Sequence, residues 1–318
     1  MTSTPMSLGA VKMGPGRRRR LTMSQREAVV AFIFLLPWIL GFLIFLAGPM
    51  IASLYFSFTQ YKIIKPPVWL GFGNYVRMFE DQLFYHSLKV TVNYTLASVP
   101  LGIVAALTVA VLLNEAPWFS GLFRTIFYLP SVISGVAVAI VFAWIFNYRF
   151  GILNYFLSFA GVRGPNWLGD PHWVLRAFIL MSLWGIGGNV VIFLAALQGV
   201  PQVLHEAATI DGASGWRRFW AITLPMISPA VLFVLVMGVI GTFQTFTQAY
   251  IMTGGGPANA TMFYLFYLYK NAFNWFEMGY ASALAWLLFL LILLLTLLLL
   301  RSSALWVYYE TGVEGRGR

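Results

Sequence analysis

The chain of 318 residues contains no cysteine, and only 9% of its residues are charged. The missing cysteine excludes structural disulfides, thiolate metal sites and a cysteine nucleophile. A soluble domain of this size needs far more surface charge to stay dispersed, whereas 60% of this chain is hydrophobic. These features together predict an integral membrane protein.

Catalytic motifs are also missing from the sequence. The three histidines, His86, His172 and His205, lie in different segments, and none has a further ligand at helical or hairpin spacing. Gly254-Gly255-Gly256 lacks the Gly-Lys-Ser/Thr that completes a phosphate-binding P-loop. We therefore predict no catalytic residue, no metal ligand and no cofactor bound by this chain.

Six uncharged runs exceed the roughly 18 to 20 residues that are needed to span about 30 Å of hydrocarbon. They lie within Ala28–Tyr61, Val90–Asn114, Thr125–Tyr148, Ala177–Leu204, Phe219–Tyr269 and Met278–Leu300. The fifth run is too long for one helix and is broken by Gly254-Gly255-Gly256-Pro257, so we expect the fifth helix near Phe219–Tyr250. The predicted fold is all-α, with six transmembrane helices.

Positive charge is distributed unevenly between the two predicted sides of the membrane, with twelve of the twenty Lys and Arg residues on one side. Those twelve are Lys12, Arg17, Arg18, Arg19, Arg20, Arg26, Arg124, Arg217, Arg218, Arg301, Arg316 and Arg318. Lys and Arg near helix ends favour the cytoplasmic side, so both termini are predicted to be cytoplasmic. Four consecutive arginines beside a span indicate orientation and anionic-lipid contact rather than nucleic-acid binding.

The predicted organisation has three parts. Residues 1–26 form a basic N-terminus with small, polar, Pro and Gly residues, for which we expect disorder. Residues 27–305 hold the six helices, and residues 306–318 form a cytoplasmic C-terminal tail. Within the membrane domain, residues 199–219 form a polar cytoplasmic loop between the fourth and fifth helices.

This polar loop carries the most informative motif. Pro201 suits the first turn of a short helix, and Gly212 suits the position past its end, where a positive φ is often needed. Ala207 and Ala208 keep one side of that helix thin, so a partner could approach its backbone, while Glu206 supplies charge at its edge. The loop is therefore predicted to dock another protein.

The spacing Glu206-Ala207-Ala208, Gly212 and Ile222-Thr223-Leu224-Pro225 resembles the EAA coupling motif in permease subunits of bacterial ATP-binding-cassette (ABC) importers. Other matching motifs follow the order found in carbohydrate importer permeases of the maltose, lactose and glycerol-phosphate type. They are Leu35-Leu36-Pro37, Gly48-Pro49, Leu54-Tyr55-Phe56-Ser57-Phe58-Thr59, Gly71-Phe72-Gly73-Asn74-Tyr75, Leu122-Phe123-Arg124, Leu129-Pro130, Gly254-Gly255-Gly256-Pro257 and Gly279-Tyr280-Ala281-Ser282-Ala283. The resemblance extends from about Glu27 to Leu300.

The resemblance implies a type I importer permease in the cytoplasmic membrane of a prokaryote. Its implied partners are a second homologous permease subunit, two ATPase subunits that use ATP and Mg, and an external solute-binding protein. The chain itself would then be no enzyme. The implied ATPase-coupling residues are Glu206, Ala207, Ala208, Asp211, Gly212, Leu224 and Pro225.

The spanning runs hold neutral polar and aromatic groups in place of the charges typical of ion channels and proton-coupled carriers. Such groups suit a polyhydroxylated neutral solute, although Ser, Thr, Asn and Gln in membrane helices often hydrogen-bond to a neighbouring helix instead. In related sugar permeases the pocket lies on the matching helices. The predicted substrate-path residues are Ser131, Gly135, Trp184, Gly185, Asn189, Thr242, Gln244 and Thr245.

The predicted function is import of a mono- or oligosaccharide by alternating access. An alternative of the same class is a permease for glycerol-phosphate or another polar solute, although phosphate recognition favours arginine, which the spanning runs lack. A channel or membrane scaffold without an ATPase is an alternative of a different class. In that case the loop at Glu206 would be incidental.

Overall fold

The computed structural model describes residues 23–115 and 120–308, which are helical apart from one two-stranded sheet and the connecting loops. In chain order the elements are α1 (Met23–Phe42), α2 (Gly48–Ser57), β1 (Thr59–Lys62), β2 (Lys65–Trp69), α3 (Gly73–Glu80), α4 (Gln82–Glu115), α5 (Ser120–Val132), α6 (Gly135–Ile145), α7 (Ile152–Phe159), α8 (Pro171–Ser182), α9 (Gly187–Gln198), α10 (Gln202–Ile210), α11 (Gly215–Arg218), α12 (Leu224–Met226), α13 (Ser228–Phe243), α14 (Tyr264–Tyr269) and α15 (Met278–Trp306). The π-helical turns are Leu43–Ala47, Phe219–Thr223, Ala249–Thr253 and Lys270–Asn274, and Leu183–Gly185 is a 3-10 turn.

Contacts divide the chain into two compact units between Ala52 and Ser53. In the first unit, the described residues form α1, the π-helical turn after it and the start of α2. The second unit contains both candidate sites. The predicted disorder of the N-terminus before residue 23 and the predicted tail beyond residue 308 fall outside the described residues, and the domain limits stay a prediction.

Six spans are compatible with the described helices. The helical segment Arg26–Ser57, α4 and α15 are each long and apolar enough to cross a membrane as continuous helices. Three further candidates are bent pairs: α5 with α6 at 98°, α8 with α9 at 49°, and the segment Gly215–Met226 with α13 at 66°. The all-α fold is confirmed, apart from one antiparallel β1–β2 hairpin. The hairpin begins at Thr59, so the last three residues of the first apolar run, which extends to Tyr61, belong to a strand.

Prolines flank the bend in the fifth span. The fifth helix, expected as one piece near Phe219–Tyr250, instead bends at Ile227, between Pro225 and Pro229, and its straight part ends at Phe243. A proline removes a backbone donor and its ring clashes with the preceding helical turn, so a helix kinks beside it. The sequence contains these prolines, but hydropathy alone did not indicate where the helix would bend.

A small buried cluster joins α6 to α8, and two larger clusters hold the second unit together. One joins α4, α8, α13, α14 and α15 around the large side chains Phe178, Phe263, Tyr264 and Tyr280. The other joins the C-terminal half of α4 to α9 and α13. Its members include Ala106 and Ala110 of α4, which are fully buried and let neighbouring helices approach closely.

The β1–β2 hairpin is attached to α3 and α15 by contacts that these helices make with backbone atoms at its start. The side-chain amide of Asn74 donates to the carbonyl oxygens of Ser57 and Thr59 at 2.9 and 2.8 Å. Gly279, at the start of α15, lies so close that a Cβ there would stand 2.0 Å from the carbonyl oxygen of Thr59. The motifs that contain Asn74 and Gly279 therefore hold the hairpin against the helices.

Asp81, the C-cap of α3, connects that helix to α4, α14 and α15 at the predicted external side. Its Oδ1 caps α4 by accepting from the backbone amides of Leu83 and Phe84 at 2.8 and 3.3 Å. Its Oδ2 accepts from the hydroxyls of Tyr267, on α14, and Tyr280, on α15. Burial raises the pKa of Asp81, but these four hydrogen bonds outweigh burial and leave the pKa below its ordinary value. The carboxylate is therefore charged and fully bonded at neutral pH.

Candidate coupling loop and membrane path

The loop between α9 and α13 forms the predicted short helix, α10. Pro201 is its N-cap, with φ −61° and ψ 124°, and the helix begins at Gln202. At the other end Gly212 has φ +75°, the left-handed conformation that disfavours a side chain. Gly212 therefore has the position past the helix end that its residue type predicts, whereas Pro201 lies one residue before the predicted first turn, as the N-cap.

The C-terminus of α10 has the hydrogen bonds of a Schellman motif. The amide of Gly212 donates to the carbonyl of Thr209 at 3.0 Å, and the amide of Ala213 donates to the carbonyl of Ala208 at 2.9 Å. These bonds satisfy carbonyls that would otherwise have no helical partner. A side chain at position 212 would strain the backbone on which both bonds depend.

An exposed apolar stripe runs along α10. It consists of Val203, Ala207 and Ile210, at i, i+4 and i+7, with Val203 and Ile210 exposed by 72% and 86%. Among its neighbours, Glu206 is exposed and Ala208 is half-buried. Val203 and Ile210 were missed from the sequence, although their helical spacing with Ala207 could have identified them. A contiguous exposed apolar stripe indicates a surface for a protein partner.

α10 is hydrogen-bonded to the segment that leads into the fifth span. The Nη1 of Arg218 donates to Thr209 Oγ1 at 2.7 Å, and this hydroxyl donates to the carbonyl of His205 at 2.7 Å. Ser214 caps α11 by accepting from the amide of Arg217 at 3.3 Å. The π-helical turn Phe219–Thr223 then continues directly from α11. A displacement of α10 would therefore be passed toward α13.

The remaining predicted coupling residues lie away from the exposed stripe. Asp211 is exposed as the C-cap of α10, beside Gly212. Leu224 is half-buried and packs against the cluster formed by α4, α9 and α13. Pro225 lies in α12, and its carbonyl accepts from the hydroxyl of Ser228 at 2.6 Å. Leu224 and Pro225 thus belong to the joint between loop and span, whereas Glu206 to Gly212 form the loop itself.

The predicted substrate-path residues concentrate where spans are interrupted. Ser131 and Gly135 flank the break between α5 and α6, and Trp184 and Gly185 lie in the 3-10 turn that links α8 to α9. Asn189 is in the first turn of α9. Thr242, Gln244 and Thr245 are at the C-terminal end of α13. Irregular backbone at membrane depth is tolerated where it is buried or lines a water-filled cavity.

Close packing brings the residues at the α5–α6 break next to those at the α8–α9 break. α5 contacts both α9 and the 3-10 turn Leu183–Gly185. At the start of α9, a Cβ on Gly187 would lie 2.0 Å from the carbonyl oxygen of Phe127, on α5. The ring of Trp184 meets that of Phe142, on α6, edge to face at 6.0 Å. Ser131, Gly135, Trp184 and Gly185 therefore belong to one neighbourhood.

The eight residues differ in exposure and bonding. Ser131, Gly135, Trp184, Gly185 and Gln244 are exposed, and Asn189 is half-buried. Two threonines are engaged in packing instead. Thr242 Oγ1 lies 2.9 Å from Thr95 Oγ1 on α4, and Thr245 is 9% exposed. The assignment of all eight residues to a substrate path stays a prediction. The exposed residues among them carry the polar and aromatic groups that a solute could reach most easily.

Residues 98–306 match the family described as "Binding-protein-dependent transport system inner membrane component". This chain belongs to that family. The matched residues include the whole loop 199–219 and all eight predicted substrate-path residues. The predicted resemblance to importer permeases is confirmed, and the chain is a transport component of a prokaryotic inner membrane.

Individual relatives of this family member align over nearly their whole length. The "Probable ABC transporter permease protein YesP" of Bacillus subtilis is 44% identical over 295 residues, which cover 91% of this chain and 95% of the relative. The "Trehalose/maltose transport system permease protein MalF" of Thermococcus litoralis is 33% identical over 269 residues, covering 84% and 91%. The permease thus shares an extensive alignment with ABC transporter subunits.

A solved structure supports the fold of the permease. It is a chain from the crystal structure of a bacterial alginate ABC transporter in complex with an alginate pentasaccharide-bound periplasmic protein. That chain is 27% identical to this one, with a TM-score of 0.78 over 87% of this chain and 95% of its own length. The broken spans described above therefore belong to an ABC permease fold.

Proposed function

We propose that this permease imports a carbohydrate by alternating access, as one membrane subunit of an ABC importer. The observation that carries the proposal is the exposed stripe Val203, Ala207 and Ile210 on a helix hydrogen-bonded to the segment entering the fifth span. Relatives named for trehalose, maltose and alginate support a saccharide as the solute. A solute-binding protein would deliver it from outside.

The energy for transport would come from two ATPase subunits that bind the loop. This chain lacks a P-loop, so the ATPases would hold ATP and Mg, and this chain would bind no cofactor and catalyse no reaction. The stripe on α10 would lie in an apolar groove of an ATPase. Exposed Glu206 and Asp211 would lie at the rim of that contact, where charge tunes the rate and register of association more than its strength.

Coupling would then follow from the hydrogen bonds of the loop. ATP-dependent closure of the ATPase pair would carry α10 with it, and the bond between Arg218 and Thr209 would pass the displacement to α11. The bend at Ile227 would let the segment Gly215–Met226 move relative to α13. The ATP-bound state would favour the outward-open permease because the two states differ in their contacts with the ATPase.

A second permease subunit would complete the substrate path. Ser131, Trp184 and Gln244 are exposed on this chain alone, and a homologous subunit facing them would enclose a polar and aromatic passage. Tryptophan faces stack on sugar rings, and neutral donors and acceptors pair with hydroxyls. An acidic saccharide would need a cation, which none of the eight predicted path residues supplies, so a neutral saccharide fits better.

The function is tested by co-purification and reconstitution with the partner subunits. The chain should retain an ATPase through purification, and a sugar-loaded binding protein should raise ATP hydrolysis in proteoliposomes. Neutral and uronate saccharides tested in parallel would separate the two solute classes. A chain that purifies without any ATPase and conducts solute in its absence would instead be a channel.

The predicted substrate path is tested at Asn189 and Gln244. Loss of one hydrogen bond to a sugar hydroxyl should cost about 1 to 3 kcal/mol, so Asn189→Ala and Gln244→Ala should each raise the KM of uptake about 5- to 150-fold. Gln198→Ala, at an exposed position later in α9, is the matched control and should leave uptake unchanged. Normal uptake by both path variants at normal expression would contradict the assignment.

The proposed orientation is tested by cysteine labelling, because the chain has no native cysteine. Arg163→Cys, at an exposed position in the loop between α7 and α8, should react with an impermeant thiol reagent added outside intact cells. Gln202→Cys, at the exposed start of α10, should react only after the membrane is permeabilised. The reverse pattern would place the loop outside and overturn the orientation.

A further inference from the structure

A cavity of about 800 Å³ lies between α4 and the coupling loop. Val104, Leu107 and Val111 line it from α4, and Leu197 and Leu224 line it from α9 and α12. Its size is within the roughly 300 to 1,000 Å³ of typical ligand sites. Its wall on α4 belongs to a helix long and apolar enough to cross the membrane. A ligand with a long apolar part that enters from the bilayer would suit these walls.

The lining of the cavity includes an arginine, Arg218, that has no ion pair among the described residues. The Nη1 of Arg218 bonds to Thr209, but its Nε is buried and has no hydrogen-bond partner among the described residues. Glu115 also lines the cavity, yet within the described parts of the chain Arg218 forms no ion pair. Since Arg218 lines the cavity and lacks a carboxylate partner, an anionic oxygen inside the cavity would stabilise its guanidinium charge.

The surroundings of Arg218 indicate where this anion comes from. Trp216 and Trp220 line the same cavity and are largely exposed, as tryptophans at a membrane–water interface are. The loop that holds them is on the predicted cytoplasmic side, which faces a leaflet rich in anionic lipid. Apolar walls, interfacial tryptophans and an unpaired guanidinium together match the acyl chain, the glycerol region and the phosphate of a phospholipid.

We propose that this cavity binds one anionic phospholipid of the cytoplasmic leaflet, with an acyl chain against α4 and its phosphate on Arg218. The proposal rests on the proposed orientation of the importer. A lipid in this place would separate the coupling segment from α4 and support the bond between Arg218 and Thr209. Its presence would therefore influence how firmly α10 is connected to the fifth span.

The first test measures the lipid that stays with the purified importer complex, by native mass spectrometry and lipid extraction. Arg218→Gln should reduce co-purified phosphatidylglycerol about tenfold, since it removes the cation that faces the phosphate. Arg217→Gln is the matched control, because this neighbouring arginine is exposed and does not line the cavity. Equal lipid retention in both variants and the wild type would overturn the proposal.

A second pair of variants tests the acyl-chain part without touching the arginine. Val104→Trp fills the cavity from an exposed position of α4, whereas Leu101→Trp adds the same bulk at an exposed position three residues away that does not line the cavity. Only Val104→Trp should lose the bound phosphatidylglycerol. Loss in neither variant, or the same loss in both, would contradict an acyl chain in this cavity.

Two further outcomes would assign the cavity to something else. Displacement by soluble glycerol phosphate as effectively as by phosphatidylglycerol vesicles would indicate a free-phosphate site, and crosslinking from Val104→Cys to an ATPase would indicate a protein occupant. Either result would overturn the lipid site. Uptake measured on the wild-type preparation keeps the proposals separate: coupled sugar uptake by a wild-type complex that purifies without bound lipid would refute the lipid site and leave the proposed function intact.

Discussion

Replacing Ala207 with tryptophan should reduce coupled sugar uptake by about tenfold or more, because the added ring stands in the middle of the exposed stripe on α10. Overpacking a close contact costs about 1 to 3 kcal/mol, and a groove shaped for a methyl group has no room for an indole. Uptake, ATP turnover and ATPase retention would be measured on the reconstituted complex. Ala160→Trp, at an exposed position after α7, is the matched control and should behave as wild type.

A loop that docks and transmits should also depend on its C-terminal turn. Gly212→Val places a β-branched residue at φ +75°, which costs about 1 to 3 kcal/mol, and should uncouple ATP hydrolysis from uptake. Gly215→Val is the matched control, since that glycine does not have a positive φ and a Cβ there meets nothing closer than 3.9 Å. Glu206→Ala should be milder, since a rim charge contributes less than steric fit. Normal coupled uptake by Ala207→Trp would remove the main support for docking at this loop.

Gly187→Ala should lower the thermal stability of the permease and its uptake, because the new Cβ would lie 2.0 Å from the carbonyl oxygen of Phe127. The atoms it meets belong to the backbone of α5, so relief requires α5 and α9 to separate. We expect a loss of about 1 to 3 kcal/mol in stability and a defect in the substrate path that these helices position.

The adjacent glycine provides the control for that variant. A Cβ on Gly188 meets nothing within 4 Å, so Gly188→Ala should leave both the melting temperature and uptake unchanged. Both variants would be compared by thermal unfolding in detergent and by uptake in proteoliposomes. Equal stability of Gly187→Ala and Gly188→Ala would show that α5 and α9 do not pack this closely in the permease.

Local features were sufficient to predict α10. Pro201 and Gly212 act within one turn of the backbone that they terminate, so residue type alone located the helix to within a residue at each end. The apolar runs likewise predicted helices long enough to cross a bilayer, of which the described residues hold three, or six if each bent pair is one span, because the thickness of a bilayer imposes a minimum length. Helix termination and span length depend only on the local sequence and on the bilayer. They can therefore be predicted without knowing which residues contact each other in the fold.

The tertiary structure alone decided how the spans bend and what the polar groups contact. Glycines and prolines predict a weak point, but the angles of 98°, 49° and 66° depend on the helices packed around each break. Thr242 contacts Thr95, 147 residues earlier in the chain, which sequence patterning cannot distinguish from exposure to a solute. The same holds for the bonds of Asp81 to Tyr267 and Tyr280. Hydropathy and spacing describe the segment in which a residue lies, whereas each of these contacts depends on a second segment that is distant in the sequence.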